Sequence, residues 1–342
     1  MKKLVTKIAW IICSLGITTG AYGQGMHFSQ YYNAPLLLNP ANTGLLPQED
    51  YRIGVNYRKQ WASIPVPYVT MSAFGDFQLM RNRNQTNWMG IGFSFWNDVV
   101  GDGNLKLTKF EGHLAYHIQM GEYSMVSLGV SAGYAGRTVD FTKLTFGSQW
   151  DGFVFNETFP TNEKYSSQVK TNYFDIAAGV NYAIFPNENT YIKIGLGMAH
   201  LTQPKETFYG QLTNKLGRRP TVNIDALFKL NDVIIFNPSV YYTTQKGASE
   251  LLYGMLFAIN VSGEEKTNTQ LILGAYHRWG DALIAALGLK YQQWKLTTGY
   301  DFTMSSLAAT NKGRGAFEIS LIYEALYNEY SRDRRTYTCP RF

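Results

Sequence analysis

The chain has 342 residues, a formal net charge of +6 and aromatic side chains at 15% of positions, with 24 Tyr and 32 Gly. No segment beyond the first two dozen residues offers about 18 consecutive apolar side chains, which excludes membrane-spanning helices there. The absence of a basic run interleaved with aromatics excludes a nucleic-acid partner, and two cysteines, Cys13 and Cys339, are too few for a disulfide framework.

Residues 1–23 read as a cleaved secretory signal peptide. Lys2, Lys3 and Lys7 form the positive start, Ile8–Ile17 is the apolar stretch, and Ala21 and Gly23 supply the small-residue exit before Gln24. Cys13 suggests a lipoprotein instead, but Ile11 and Ile12 precede it where small residues are needed, and it lies too early. Processing lowers Lys+Arg from 31 to 28 against 25 acidic residues, for a mature charge of about +3, and leaves Cys339 without an intramolecular partner. A free thiol or an intermolecular bridge follows.

Residues 24–50 come next. Asn39-Pro40 and the Gly44–Pro47 region read as turns. Phe28–Leu38 therefore reads as an extended periplasmic segment whose Tyr31, Tyr32 and Leu36–Leu38 require burial. Two readings stand: the segment plugs or lines the periplasmic mouth of its own fold, or it is a docking strip for a periplasmic secretion component.

Residues 51–326 alternate apolar and polar side chains with a period of two. In Thr221–Leu230, Val222, Ile224, Ala226, Phe228 and Leu230 oppose Thr221, Asn223, Asp225 and Lys229; in Gly315–Ala325, Phe317, Ile319, Leu321 and Tyr323 oppose Glu318, Ser320 and Glu324. Helical spacing does not produce such stripes. About fourteen runs are counted: 51–59, 68–78, 88–97, 105–118, 122–137, 172–184, 190–201, 218–230, 233–244, 250–261, 269–279, 282–291, 293–302 and 315–325. An even count of long strands predicts an all-β, transmembrane antiparallel β-barrel, apolar outside and polar toward a wet lumen. A soluble β-sandwich also alternates but fits so many outward aromatics less well.

With both barrel ends periplasmic, the even connections should be short, as 119–121, 185–189 and 231–232 are. The second, 79–87, is too long, whereas the longest, 138–171, falls on the outside. The eleventh, at Gly280-Asp281, is tight for a surface loop and leaves the strand count open by two. Residues 327–342 form a C-terminal tail.

No catalytic motif emerges, and no cofactor or metal is expected. His113 and His117, beside Glu111, lie four apart on one strand face, about 13–14 Å. That is too far to share one zinc, so they read as lumen lining. Gly195-x-Gly197 and Gly129-x-x-x-Gly133 lack a following helix and mark close packing or a bend. Asp98, Asp102 and Asn104 around Gly101 and Gly103 do not match a calcium loop and read as a solvated turn.

Three segments resemble the PorP/SprF family. The first is Phe28-Ser29-Gln30-Tyr31-Tyr32-Asn33-Ala34-Pro35-Leu36-Leu37-Leu38-Asn39-Pro40-Ala41-Asn42-Thr43-Gly44, and the second is Asn56-Tyr57-Arg58-Lys59-Gln60-Trp61. The third runs from Gly299-Tyr300-Asp301-Phe302 through Ser305-Ser306-Leu307 to Gly315-Ala316-Phe317-Glu318-Ile319-Ser320-Leu321. The tail Cys339-Pro340-Arg341-Phe342 has the same look. Asn33-Ala34-Pro35 departs from the uninterrupted Asn-Pro common in that family.

The resemblance implies an outer-membrane barrel of Bacteroidota-type cells that serves the type IX secretion system. It also implies partners: type IX secretion components, membrane lipid, and a large secreted surface protein with a type B C-terminal domain, such as a gliding adhesin. Partner contacts are expected at Phe28, Ser29, Gln30, Tyr31, Leu37, Asn39 and Pro40. The runner-up function is a porin or solute transporter whose inward polar residues line a path; an outer-membrane enzyme is a third, weaker reading.

Overall fold

The computed structural model describes residues 28–46, 49–62, 66–81, 86–163, 167–208, 214–261 and 269–327. The signal peptide expected at 1–23 and the tail beyond 327, including Cys339, lie outside the described residues.

Fourteen strands follow one another: β1 (Tyr51–Gln60), β2 (Tyr68–Leu79), β3 (Asn87–Val100), β4 (Leu105–Gln119), β5 (Ser124–Asp140), β6 (Gln168–Asn187) and β7 (Thr190–Ala199), then β8 (Arg219–Lys229), β9 (Ile234–Gln245), β10 (Ala248–Asn260), β11 (Thr269–Arg278), β12 (Ala282–Tyr291), β13 (Trp294–Thr303) and β14 (Arg314–Ala325). Each pairs antiparallel with its sequence neighbours, and β1 also pairs with β14, so the sheet closes. Val55 lies opposite both Leu321 and Ala73 at this seam. Closure removes the unpaired strand edges that hydrocarbon does not tolerate.

The predicted alternation holds. Val222, Ile224, Phe317 and Leu321 point away from the lumen, while Thr221, Asn223, Glu318 and Ser320 are buried on its inner side. The fourteen strands coincide with the fourteen runs to within a few residues, and the tight eleventh connection is a genuine turn between β11 and β12. The largest boundary difference is at β5 and β6. They continue pairing through Arg137↔Thr171 to Asp140↔Gln168, so their connection shrinks to 141–167 and stands beyond the rim on a longer hairpin.

One irregularity places chemistry. The β13–β14 register shifts between Tyr300 and Phe302, and a β-bulge of this kind re-aims nearby side chains. A Cβ on Gly315 would stand 2.4 Å from the Asp301 carbonyl oxygen, so the bulge closes tightly around Asp301.

Two expectations need correction. The segment Phe28–Leu38 is not extended: together with the residues that follow, it coils into 3-10 turns at Tyr31–Asn33 and Pro40–Asn42 with one α turn, Pro35–Leu38, between them. Pro35 and Pro40 occupy first-turn positions, where a missing N–H costs nothing. The Asn39 side chain accepts from the Ala41 amide at 2.9 Å. Coiling lets the backbone satisfy its own polar groups away from water, which an isolated extended strand does not do.

The lumen is also not simply polar and wet. Leu45 packs there with Trp88, Met125, Phe185 and Tyr191, and Tyr31 packs with Tyr241, Leu252, Tyr276 and Ile284. The apolar side chains of the coiled segment require these apolar partners from the wall.

Candidate functional site

The coiled segment, residues 28–46, runs through the lumen from one rim to the other. Ser29 lies among Arg58 near the end of β1, Arg278 at the end of β11 and Glu318 near the start of β14, so it sits toward the rim carrying the long connections. Leu46 lies at the opposite rim, where its carbonyl accepts from Gln78 Nε2 at 2.5 Å. The segment thus reaches far deeper than the periplasmic mouth.

Its first residues are held by charge. Glu318 accepts from the Ser29 amide at 2.6 Å and the Gln30 amide at 2.8 Å, one oxygen to each. Asp301 accepts from the Ser29 hydroxyl at 2.7 Å and from Arg58 Nη2 at 3.0 Å. Arg58 also donates to Ser29 Oγ at 2.6 Å and to Glu318. Arg278 donates to Ser29 Oγ and reaches Asp301 at 3.3 Å, Asp281 at 3.0 Å and Glu250 at 3.2 Å. Arg58 and Glu318 are each only 1% exposed. Buried charges persist where partners compensate them, and here every one is paired.

Aromatic and amide contacts hold the middle. The Tyr31 ring stacks on Tyr241 with centroids 5.2 Å apart, and Tyr32 stacks on Tyr276 at 5.5 Å. Phe28 and Leu37 pack with Trp96. Asn33 Nδ2 donates to Thr297 Oγ1 at 2.7 Å, and Asn56 Nδ2 donates to the Asn33 carbonyl at 3.3 Å.

The last part is held by shape. Lumen-facing glycines on β3, β5 and β6 let the segment pack close against the wall: a Cβ on Gly90 would meet Thr43 O at 1.9 Å, one on Gly129 would meet Ala41 N at 2.3 Å, and one on Gly179 would meet Asn39 Oδ1 at 1.9 Å. Asn39 Nδ2 lies within 3.2 Å of three wall acceptors, Val180 O, Asn181 Oδ1 and Leu196 O. Thr43 O accepts from His117 Nε2 at 2.9 Å, Gly44 O accepts from Trp88 Nε1 at 2.9 Å, and the Gly44 amide donates to Asp76 at 2.9 Å.

All seven residues singled out for partner contacts (Phe28, Ser29, Gln30, Tyr31, Leu37, Asn39 and Pro40) therefore face the barrel's own wall. Leu37 is half-buried and the other six are buried. The three motifs read separately in the sequence meet here: Ser29 and Gln30 of the first, Arg58 of the second, and Asp301 and Glu318 of the third form one hydrogen-bonded unit.

Sequence reading missed the wall partners Arg278, Asp76, Trp88 and Asn181, since alternation marks them only as inward. The glycines carried a usable signal, because inward glycine within a strand indicates close backbone approach. Gly129 and Gly197 carry that signal, and Leu38 O lies 3.0 Å from where a Gly197 Cβ would stand.

The two histidines line the lumen separately. His113 Nε2 is 2.8 Å from Ser94 Oγ, and His117 bridges Ser127 and Thr43. No group of three or more potential metal ligands occurs among the described residues. Residues 101–104 form a turn, with the nearby Asp98 accepting from the Thr70 hydroxyl at 2.7 Å.

A family model for the type IX secretion system membrane protein PorP/SprF matches residues 21–323. No curated protein matches. Among solved structures, the toluene transporter TbuX of Ralstonia pickettii is similar at 9% identity and a TM-score of 0.51, over 86% of this chain and 94% of that one. The Pseudomonas putida toluene transporter TodX is similar at 9% identity and a TM-score of 0.50, over 89% and 94%. At such identities the likeness is one of fold, the outer-membrane β-barrel. The family match covers most of the chain and includes all three motifs that converge in the lumen: the chain belongs to the PorP/SprF family of type IX secretion system membrane proteins.

Proposed function

We propose that this chain is an exported, permanently plugged outer-membrane barrel that supports secretion or surface anchoring of a cognate exported protein, such as a gliding adhesin. In this reading it acts by binding and passes no solute. One observation carries it: residues 28–46 cross the lumen and are held to its wall by charge, aromatic stacking and backbone approach along their length. A segment held at so many points is part of the wall's structure. Partner contacts then fall on the connections or the rims, and the seven residues first singled out act by shaping the lumen.

The assigned role is non-catalytic. Ser94 and His113 are hydrogen-bonded, but the Ser94 hydroxyl also accepts from Trp96 Nε1 at 2.8 Å, and both residues lie buried. Solute transport is the second reading. It draws on the inward polar side chains and on the names of the similar structures, which are toluene transporters.

A pull-down of the tagged chain from gently solubilised native outer membranes, followed by mass spectrometry and planar-bilayer recording, tests the proposal. Recovery of one large exported protein with type IX components, and no conductance from the purified barrel, is the expected result. A barrel that comes down alone and conducts overturns it in favour of transport.

A further inference from the structure

The β5–β6 connection is built rather than slack. Trp150 and Phe155 form a bridge, with their rings 5.0 Å apart. Between them Asp151 Oδ1 accepts from the amides of Phe153 and Val154, both at 2.8 Å. Those bonds favour the ionised carboxylate, so the Val154 and Phe153 amides hold the Asp151 carboxyl below its ordinary range. The base is tied as firmly. Gln149 receives the Phe146 amide at 3.0 Å and donates to Phe159 O at 3.2 Å, and Ser148 Oγ donates to Thr161 O at 2.6 Å.

This framework holds apolar side chains out. Phe153 is 88% exposed and Val154 60%. Outward side chains on the strands are exposed only until lipid covers them, but this tip stands beyond the last β5–β6 pair, Asp140↔Gln168. A contiguous apolar tip that its own hydrogen bonds keep from collapsing marks a contact surface. The charge around it narrows the occupant: in the 141–167 connection Lys143 and Lys164 flank a stretch, 144–163, that contains Asp151, Glu157 and Glu163 and no Lys or Arg. An anionic tip is repelled by anionic headgroups and is attracted to a surface of opposite sign.

We infer that the Trp150–Phe155 tip is a docking surface for the exported protein partner, and that it fits an apolar pocket rimmed by lysine or arginine. The inference rests on the partner-binding function proposed above and adds the place and the chemistry of the contact.

A photoreactive benzophenone side chain at Phe153 of the full-length chain, in its native outer membrane, tests this, with Ala309 on the same rim as the control position. The expected adduct from position 153 is the exported protein that the tagged parent retains, with none from 309. Phe153→Ser should lower retention of that protein about tenfold, as loss of a central aromatic anchor does, whereas Phe153→Leu should stay within about twofold. The double variant Glu157→Lys, Glu163→Lys should also weaken retention, and the difference from the parent should shrink as salt rises. Normal heat-modifiable mobility of each variant shows that the barrel has formed.

An adduct with lipid or with a second copy of this chain overturns the inference, as does undiminished retention by Phe153→Ser. In those cases the partner-binding function stands if the parent still retains an exported protein. If the parent retains none, both fall.

Discussion

The two ends of the lumen segment are held by different physics. At Ser29 and Gln30 the contacts are charged, with two arginines and two carboxylates closing on two backbone amides and a hydroxyl. At Asn39–Gly44 the contacts are mainly steric: glycine-lined backbone lies against backbone, most closing hydrogen bonds come from the neutral Asn39, His117 and Trp88, and charge enters only through single bonds from the Gly44 amide to Asp76 and from Lys193 to Asn42. Charge in a dry site penalises any mispairing heavily, so it fixes which residue sits where. Shape tolerates no added atom but offers little directional discrimination. The charged end therefore sets register, and the glycine end sets depth.

Four substitutions press on that difference. The largest effect is expected from Glu318→Ala, which leaves Arg58 short of a counter-charge and orphans two amides. Removing one partner of a buried pair costs about 3–5 kcal/mol, and hydrogen exchange should rise first at residues 29–33. If exchange there is unchanged, the charged end does not hold the segment. Next is the wall itself: Leu321→Arg, on the outward face, should impair barrel assembly by roughly 2–4 kcal/mol at the bilayer midplane. Urea-induced loss of heat-modifiable mobility reads this, and normal assembly would contradict the facing assignment.

Gly90→Val puts atoms where the Thr43 carbonyl now lies. Overpacking of that kind costs about 1–3 kcal/mol. The expected outcome is a folded barrel whose segment is displaced at Ala41–Gly44 while Ser29 stays clamped, seen as faster exchange confined to the glycine end. Displacement of both ends together would mean that they form one cooperative unit. The smallest effect is expected from Thr297→Val, which removes an acceptor of Asn33 Nδ2 while Gln30 Oε1 remains at 3.0 Å. A loss of about 1 kcal/mol in barrel stability is anticipated, and a loss as large as that of Glu318→Ala would make the aromatic middle, not the charged end, the main anchor.

The wall was readable from the chain because each strand reports its facing locally. Val222, Ile224, Phe317 and Leu321 alternate with Thr221, Asn223, Glu318 and Ser320 regardless of what lies across the barrel, and the strand runs needed only a few residues of adjustment. Those adjustments cluster where pairing outlasts the apolar pattern, as at Arg137–Asp140 opposite Gln168–Thr171. The burial demand of Tyr31, Tyr32 and Leu36–Leu38 was also visible. Their coiled form was less so, because the sequence marks turns only at Asn39-Pro40 and Gly44–Pro47, and nothing local shows that Pro35 opens an α turn.

By itself, the sequence determined the strands, their facing and the presence of a segment that had to be buried, since period-two alternation and apolar composition are local properties. Only the tertiary structure decided where that segment goes and what it meets. Ser29 and Glu318 are 289 residues apart in the chain yet 2.6 Å apart across the lumen. Closure of the sheet brings the ends of β1, β11, β13 and β14 around one point, and no local pattern records which inward residues a closed barrel will set face to face.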